Sequence, residues 1–392
     1  MGEWLSIIGI GEDGPDGLPR ASLAAIAGAE VVFGGPRHLA LVDHPDKRPW
    51  PVPFSVAPVL ALRGRRVAVL ASGDPFWHGA GGTLAEALTP GEWRAFSAPS
   101  VLSLAAARMG WRLERVLSLG LHAAPVARLR PHLAPGLRAL VTLRDGAAAG
   151  ALAGWLVDEG FGATRMVVME CLGGPRERLR TARAEDFDLT GIDPLVTVAL
   201  TVAGGGRVIP RASGLPDDVF DHDGQITKRP VRALALSALA PRAGEMLWDI
   251  GAGSGSIGIE WLLAGPAMRC VGIEADPARA ARARANAARL GVDPEIREGR
   301  ALDLLPGLPR PDAVFLGGGA ETALMKALWD LLPAGTRVVA HAVTLETEAL
   351  LTIWHARAGG SLLRVELSEA APLGRKRGWK ASYPVVQWSV TR

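Results

Sequence analysis

The chain has 392 residues, is 48% hydrophobic and sets 43 lysines and arginines against 40 aspartates and glutamates, a net charge of +3. That length exceeds one ordinary core, so two globular domains are expected. The near-balanced charge, carried almost wholly by arginine with no basic tail or lysine run, excludes a nucleic-acid-binding composition, and two distant cysteines, Cys171 and Cys270, exclude a disulfide framework. No apolar stretch is long enough to span a bilayer, and Met1-Gly-Glu-Trp4 runs straight into a strand with no charged-then-apolar leader. A cytoplasmic protein with neither a nucleic-acid nor a membrane partner is the expectation.

In chain order, Trp4 to Ile10 predicts a short buried strand ending in Gly9-Ile-Gly11. A helix over 20–27 and a strand over 30–33 follow. Arg66 to Ala71 predicts another buried strand, closing in Ser72-Gly-Asp-Pro-Phe-Trp-His78, then a helix over 82–88. Pro99-Ser-Val-Leu-Ser103 opens a helix through Met109. Strands are expected at 137–143 and 165–170, with a helix over 147–159 between them, and a last strand at 195–202. This alternation implies an α/β domain over 1–204. From Ala203 to Asp218, glycine, proline and charge replace the apolar period, so 205–220 reads as a linker and 221–392 as a second domain. That domain shows a lead-in helix over 229–239 and strands near 246–250, 270–274, 295–298, 312–316, 336–341, 361–367 and 384–390. Seven strands with a glycine loop after the first suit a doubly wound, Rossmann-like sheet with a terminal hairpin.

The chemistry is most legible at Leu247-Trp-Asp-Ile-Gly-Ala-Gly-Ser-Gly-Ser-Ile-Gly258, a strand entering a glycine-rich turn and then a helix. A second strand, Cys270 to Glu274, ends in an acid about twenty residues on. Such a turn lets a nucleotide-like ligand lie on bare backbone at a helix N-terminus, and the acid is placed to hold a ribose. The glycines alone would also suit a dinucleotide. Asp249, two residues before Gly251, would repel a pyrophosphate but not a ligand bearing an ammonium and a sulfonium. Asp249 has a second reading, as the acceptor that organises the amides of the turn. Asp276-Pro277 reads as an N-cap with proline at the first helical position.

Together these features resemble class I S-adenosylmethionine-dependent methyltransferases. Four segments narrow the resemblance to the decarboxylating cobalt-precorrin or precorrin methyltransferases of cobalamin synthesis, the fusion of two domains leaning towards the metal-free route: Ile226-Thr-Lys-Arg-Pro-Val-Arg232, Trp248 to Gly255, Pro311-Asp-Ala-Val-Phe-Leu-Gly-Gly-Gly319 and Ala342-Val-Thr-Leu-Glu-Thr347. The first domain resembles the tetrapyrrole methylases, a two-subdomain fold, through Gly9-Ile-Gly11, Gly34-Gly-Pro-Arg-His38, Ser72-Gly-Asp-Pro75 and Pro99 to Ser103. The resemblance implies S-adenosylmethionine as cofactor. In the second domain it places the cofactor at Thr227, Asp249, Gly251, Ala252, Gly253, Ser254, Gly255, Glu274, Ala301 and Gly317. In the first it implies Gly9, Gly11, Asp74, Ser100 and Ser103. Two positions depart from the family patterns: Arg300 stands where an acid is common, with Asp303 as a substitute or a helix-start residue, and Glu12 stands where a proline is usual. Asp74 also reads simply as a turn former.

The implied reaction is methylation of precorrin-6B at C5 by the first domain. The second domain would methylate C15 and decarboxylate the C12 acetate, giving precorrin-8. A reduced tetrapyrrole supplies its own electron push at an enamine-like meso carbon, so no catalytic side chain is expected, in keeping with the lack of a Ser/His/Asp or paired-carboxylate pattern. No Cys/His metal cluster is seen in the sequence. His38 and His78 stand as single histidines read as solvated loop residues. The substrate is a polycarboxylate, so cations are expected at its rim, with Lys228, Arg229, Arg375 and Lys376 as candidates or as an ordinary solvated run. Both families imply a homo-oligomer. Three rival readings stay open: a nicotinamide dehydrogenase using the same glycine loop; a first domain that binds tetrapyrrole without methylating it, hinted at by Glu12; and methyl transfer to RNA or protein, with the low net charge and lack of an aromatic-basic surface against RNA.

Overall fold

The computed structural model describes residues 2–392. It divides into two compact units, Met1–Val126 with Leu133–Arg207 and Ala127–His132 with Val208–Arg392.

The first unit holds two five-stranded sheets. One is built from β1 (Leu5–Ile10), β2 (Val31–Gly34), β3 (Lys47–Pro49), β4 (Val67–Ser72) and β5 (Trp93–Phe96), in the order β3-β2-β4-β1-β5. All its pairings are parallel. Strands buried on both faces read as unbroken apolar runs rather than alternating ones, and β1, β2 and β4 do so. The other sheet comprises β6 (Leu117–Gly120), β7 (Arg138–Thr142), β8 (Arg165–Glu170), β9 (Arg178–Arg183) and β10 (Val196–Thr201), in the order β6-β7-β10-β8-β9. It is mixed, since β10 runs antiparallel to both β7 and β8. The helix Val101–Met109 buries Leu102, Ala105 and Ala106 against Leu140, Val167, Met169 and Ala199 of this second sheet. Ser100 caps that helix by accepting from the Ser103 amide at 3.1 Å.

Four strands of this unit were not expected. β3, β6 and β9 are short or rich in exposed arginine and leucine, and β5 has a single apolar alternation, Trp93 and Ala95, too brief for a period-two signal. The helix expected over 82–88 runs instead from Ala80 to Glu86.

The second unit carries a seven-stranded sheet of β11 (Met246–Ile250), β12 (Arg269–Glu274), β13 (Glu295–Glu298), β14 (Ala313–Leu316), β15 (Arg337–Ala342), β16 (Ser361–Val365) and β19 (Val385–Thr391), in the order β13-β12-β11-β14-β15-β19-β16. The first five are parallel, and β19 enters antiparallel to both β15 and β16. All seven expected strands are present. The terminal hairpin is interrupted by an unexpected second one, β17 (Ser368–Leu373) with β18 (Lys376–Ala381), which pair only with each other.

The strands sort their residues by parity onto two faces, the period of a pleated sheet. Trp248, Ile250, Val314, Leu316, Val338 and Ala340 face one core, closed by Leu324, Leu328, Trp354 and Trp388. Leu247, Phe315 and Val339 face the other, under the helices Arg229–Leu239 and Ser256–Leu263. Much of the segment read as a linker, 205–220, is packed rather than free. Ile209, Leu215, Val219 and Phe220 are buried against Ile259, Ala287 and Leu290.

Candidate functional site

At the carboxyl edge of the seven-stranded sheet, the chain order reverses beside β11, where β12 lies to one side and β14 to the other. Doubly wound sheets bind ligands at such a switch point. An open cleft of about 650 Å³, solvent-facing space included, lies there. Its lining includes Gly251 of the glycine loop, Glu274 at the end of β12, Ala301, Gly318 and Gly319 after β14, and the apolar side chains Ile250, Ile273, Leu302 and Leu324. Apolar side chains with a few convergent polar groups are the usual lining of a small-ligand site.

The glycine loop is built by backbone constraints. Gly251, Gly253 and Gly255 have φ of 73°, 58° and 78°, a region that side chains with a Cβ avoid. A Cβ on Gly255 would also lie 3.1 Å from the Ala283 Cβ, so this glycine lets the helices Ser256–Leu263 and Pro277–Arg289 pack closely. The amides of Gly251 and Ala252 both donate to the Ile273 carbonyl, at 2.9 and 3.0 Å. Glu274 locks the loop from the other side, accepting from Gly253 N at 2.8 Å and Asp276 N at 2.9 Å. Each carboxylate oxygen keeps a lone pair free, so Glu274 can still accept from the vicinal hydroxyls of a ribose.

Asp249 does not line the cleft. It is buried beneath the loop and accepts from the Gly258 amide at 3.0 Å, as a turn organiser would. Burial pushes its carboxyl up to about 7, the Glu274 charge adding to the rise against the Gly258 hydrogen bond. Cys270 packs on the same glycine, and its thiol is pushed well up by burial and by Asp249.

The other expected positions divide. Gly251, Glu274 and Ala301 meet at the cleft; Ala252, Gly253, Ser254 and Gly255 shape the loop without lining it. Gly317 is a packing residue, since a Cβ there would fall 3.2 Å from the Gly251 carbonyl oxygen, and its neighbours Gly318 and Gly319 face the cleft instead. Thr227 is half-buried outside the lining, and its carbonyl accepts from Arg232. Arg300 lines the cleft where an acid was sought, whereas Asp303 is exposed and does not. Glu321, on the lining and at the N-cap of the helix Thr322–Leu331, was not singled out by the sequence. Lys228, Arg229, Arg375 and Lys376 are all exposed and none lines the cleft; the last two sit at the turn of the β17–β18 hairpin.

A buried ionic cluster braces this unit, joining residues that no local sequence pattern connects. Arg232, 0% exposed, donates to Glu260 at 2.6 Å, to Asp217 at 3.0 Å and to the carbonyls of Leu215 and Thr227. Glu260 also accepts from the amides of Gly214 and Leu215, at 2.6 and 2.9 Å. The segment before the domain, the Thr227 turn and the helix that begins at the glycine loop are thereby tied through one guanidinium.

In the first unit, Gly9, Gly73 and Ser100 converge. A Cβ on Gly9 would stand 1.7 Å from the Gly73 carbonyl oxygen, and one on Gly73, at φ 55°, would be 2.9 Å from the Ser100 Cα. Gly11 is likewise crowded, by Asp13 Oδ1 at 2.5 Å. Asp74 accepts from the Phe76 amide at 2.9 Å, the turn-forming role, and Ser100 with Ser103 forms the helix cap. Glu12, in the proline position of the family pattern, pairs with Arg37, with Arg176 at 3.9 Å on its other oxygen.

His38 is not a solvated loop residue. It is half-buried against the Ser72 hydroxyl at 2.9 Å, and burial followed by the Arg37 charge lowers it to about 4. His78 is exposed but is not alone, for its ring packs edge-on against His122 with centroids 5.7 Å apart. Among the described residues, no group of three or more potential ligands could hold a metal ion, and no helix is long and apolar enough to cross a membrane.

Comparison with known proteins matches residues 5–188 to the tetrapyrrole (corrin/porphyrin) methylases and residues 218–392 to the precorrin methyltransferase domain. The precorrin-6Y C(5,15)-methyltransferase [decarboxylating] of Sinorhizobium sp is 50% identical over 99% of this chain and 96% of its own. The chain belongs to the precorrin-6Y C(5,15)-methyltransferase (decarboxylating) family. Its Mycobacterium tuberculosis H37Rv relative of the same name is 41% identical over 98% of this chain and 99% of its own. The crystal structure of the C-terminal domain of the Rhodobacter capsulatus precorrin-6Y C5,15-methyltransferase is 52% identical, covers 47% of this chain and all of that one, and superposes with a TM-score of 0.46.

Proposed function

We propose that this chain methylates precorrin-6B at C5 and C15 with S-adenosylmethionine and removes the C12 acetate carboxyl as carbon dioxide, giving precorrin-8 in cobalamin synthesis. The observation that carries this is the 50% identity to the Sinorhizobium enzyme along almost the whole of both chains, which brings both catalytic halves together. The first unit is assigned C5, and the second C15 with the decarboxylation.

S-adenosylmethionine, when bound, supplies a methyl group already activated on a sulfonium. In the second unit, Glu274 would hold the ribose, the glycine loop would lie beneath the methionine part, and Ile250, Ile273, Ala301, Leu302 and Leu324 offer an apolar wall to the adenine. In the first, the missing side chain at Gly9 lets β1 close on the Gly73 turn, and the loops after β1 and β4 would take the cofactor.

The substrate carries the rest of the chemistry. A meso carbon between pyrrole-derived rings is enamine-like and nucleophilic. Its methylation leaves a conjugated imine that accepts the electron pair of the departing carboxylate, so no side chain need act as a base. The chain's work is to position the macrocycle and exclude water.

The test is mass spectrometry of precorrin-6B incubated with the protein and methyl-labelled S-adenosylmethionine. Two labelled methyl groups with one carbon dioxide lost support the assignment of both units. One labelled methyl with carbon dioxide lost would make the first unit a binding module only. Unchanged precorrin-6B, with cofactor bound, would refute the substrate.

A further inference from the structure

We propose that His78 and His122, with the indole of Trp77, form the part of the first unit that grips an acidic side chain of the tetrapyrrole; this rests on the function proposed above. The two histidines are 44 residues apart in sequence, and neither carries a local motif. The fold brings their rings together at 5.7 Å between centroids in an edge-to-face pair. His78 leaves the carboxyl end of β4 on the same loop as Asp74, and His122 follows the carboxyl end of β6. The pair therefore bridges the carboxyl edges of the unit's two sheets, where α/β folds take their ligands.

Three features show a built arrangement. His78 holds φ 56°, a left-handed conformation that a residue with a Cβ seldom adopts and that clusters at binding sites. Gly120, the last residue of β6, leaves room for the pair: a Cβ there would stand 2.9 Å from His78 Nε2 and 3.1 Å from His122 Cε1. His122 Nδ1 lies 3.1 Å from the Thr142 hydroxyl. When that hydroxyl donates to Nδ1, the remaining N–H of His122 sits on Nε2 and is available to an incoming acceptor.

The surroundings fit an anionic, ring-shaped ligand. Trp77 stacks edge-on to His78 at 5.7 Å and is 47% exposed, and Phe76 beside it is 43% exposed while its ring rests on Trp93. Two imidazoles next to an open indole offer N–H donors to a carboxylate and a flat apolar face to a macrocycle, which is the chemistry of a carboxylated tetrapyrrole. Lys228, Arg229, Arg375 and Lys376 lie in the other unit.

The experiment uses the full chain, precorrin-6B and methyl-labelled S-adenosylmethionine, with label at C5 and at C15 read separately. His78→Gly, which also relieves the backbone, and His122→Ala should each raise the KM for C5 labelling about tenfold, the value of one charge-assisted hydrogen bond. Label at C15 and loss of carbon dioxide should stay at wild-type levels, and so should the affinity of the first unit for S-adenosylmethionine, which shows that this unit still folds. His78→Phe keeps a ring against Gly120 but has no N–H, and should lose as much as His78→Gly, a result a packing role would not give. Gly120→Ala, which displaces both rings and removes neither, should give an intermediate rise. Unchanged KM for C5 labelling in both histidine variants overturns the assignment. A wild-type protein that transforms no precorrin-6B overturns instead the functional reading beneath it, and the assignment falls with it.

Discussion

Asp249→Asn separates two roles that one carboxylate could play under the glycine loop. Its side chain is buried and accepts from the Gly258 amide, and burial pushes the carboxyl up from the ordinary 3.8 to about 7. A carboxyl whose folded pKa is raised binds its proton more tightly in the native state. Its burden on stability is therefore absent below about pH 4, grows as pH rises towards 7, and is complete above that. The rise from 3.8 to about 7 corresponds to roughly 4 kcal/mol. Asparagine is isosteric and its Oδ1 can still accept from Gly258, so the turn is kept and the charge removed. In urea unfolding of the cofactor-free protein, Asp249→Asn should be more stable than wild type, and the gap should widen by about 2–3 kcal/mol between pH 5 and pH 8. Calorimetric titration with S-adenosylmethionine at pH 8 then reads the other role. A cationic ligand that draws on the Asp249 charge must bind the asparagine variant more weakly, by about tenfold for each 1.4 kcal/mol of lost attraction. Equal affinity would leave Asp249 as a turn organiser alone. A stability gap that does not change with pH would refute the reasoning from burial.

Arg232→Met should destabilise the second unit by about 3–5 kcal/mol in urea unfolding, because it leaves the Glu260 carboxylate buried with only backbone donors; a loss under 1 kcal/mol would contradict the buried-pair argument. Gly9→Ala must force the Gly73 carbonyl away from β1, and labelled-methyl mass spectrometry should show C5 methylation lost with C15 methylation intact. His38, lowered to about 4 by burial, should stay neutral above about pH 5, and its imidazole proton resonances should not move between pH 6 and 8. Because the unfolded chain takes up that proton near pH 6.5, His38 contributes a fall in stability as pH drops from about 6.5 to about 4, which His38→Gln should abolish.

What could be read in advance follows a physical division. The long parallel strands were legible because strands buried on both faces must be apolar, and the glycine loop because only glycine tolerates its positive φ. The edge strands β3 and β9 and the β17–β18 hairpin were not, since exposed strands carry arginine, lysine and proline as readily as any loop. Glu274, Gly251 and Ala301 were found because a local pattern encodes them. Glu321 was missed because what places it is the meeting of β14 with β11, and no local spacing records that.

The same division explains why the polar partnerships stayed hidden. Arg232 was visible in the sequence within a motif, but its partner Glu260 lies 28 residues on, inside an apolar helix where an acid looks like an interruption. A buried carboxylate in such a helix needs a cation from elsewhere, and that need was the available signal. His78 gave less. Its only local mark is a left-handed backbone that no residue type betrays, and its partner arrives from the loop after β6, in another sheet. The motifs in this chain thus locate where a cofactor's constant part can lie against backbone. The groups that would meet the variable part of a ligand, the carboxylate-bearing rim of a macrocycle, are assembled by topology from residues that look unremarkable one at a time.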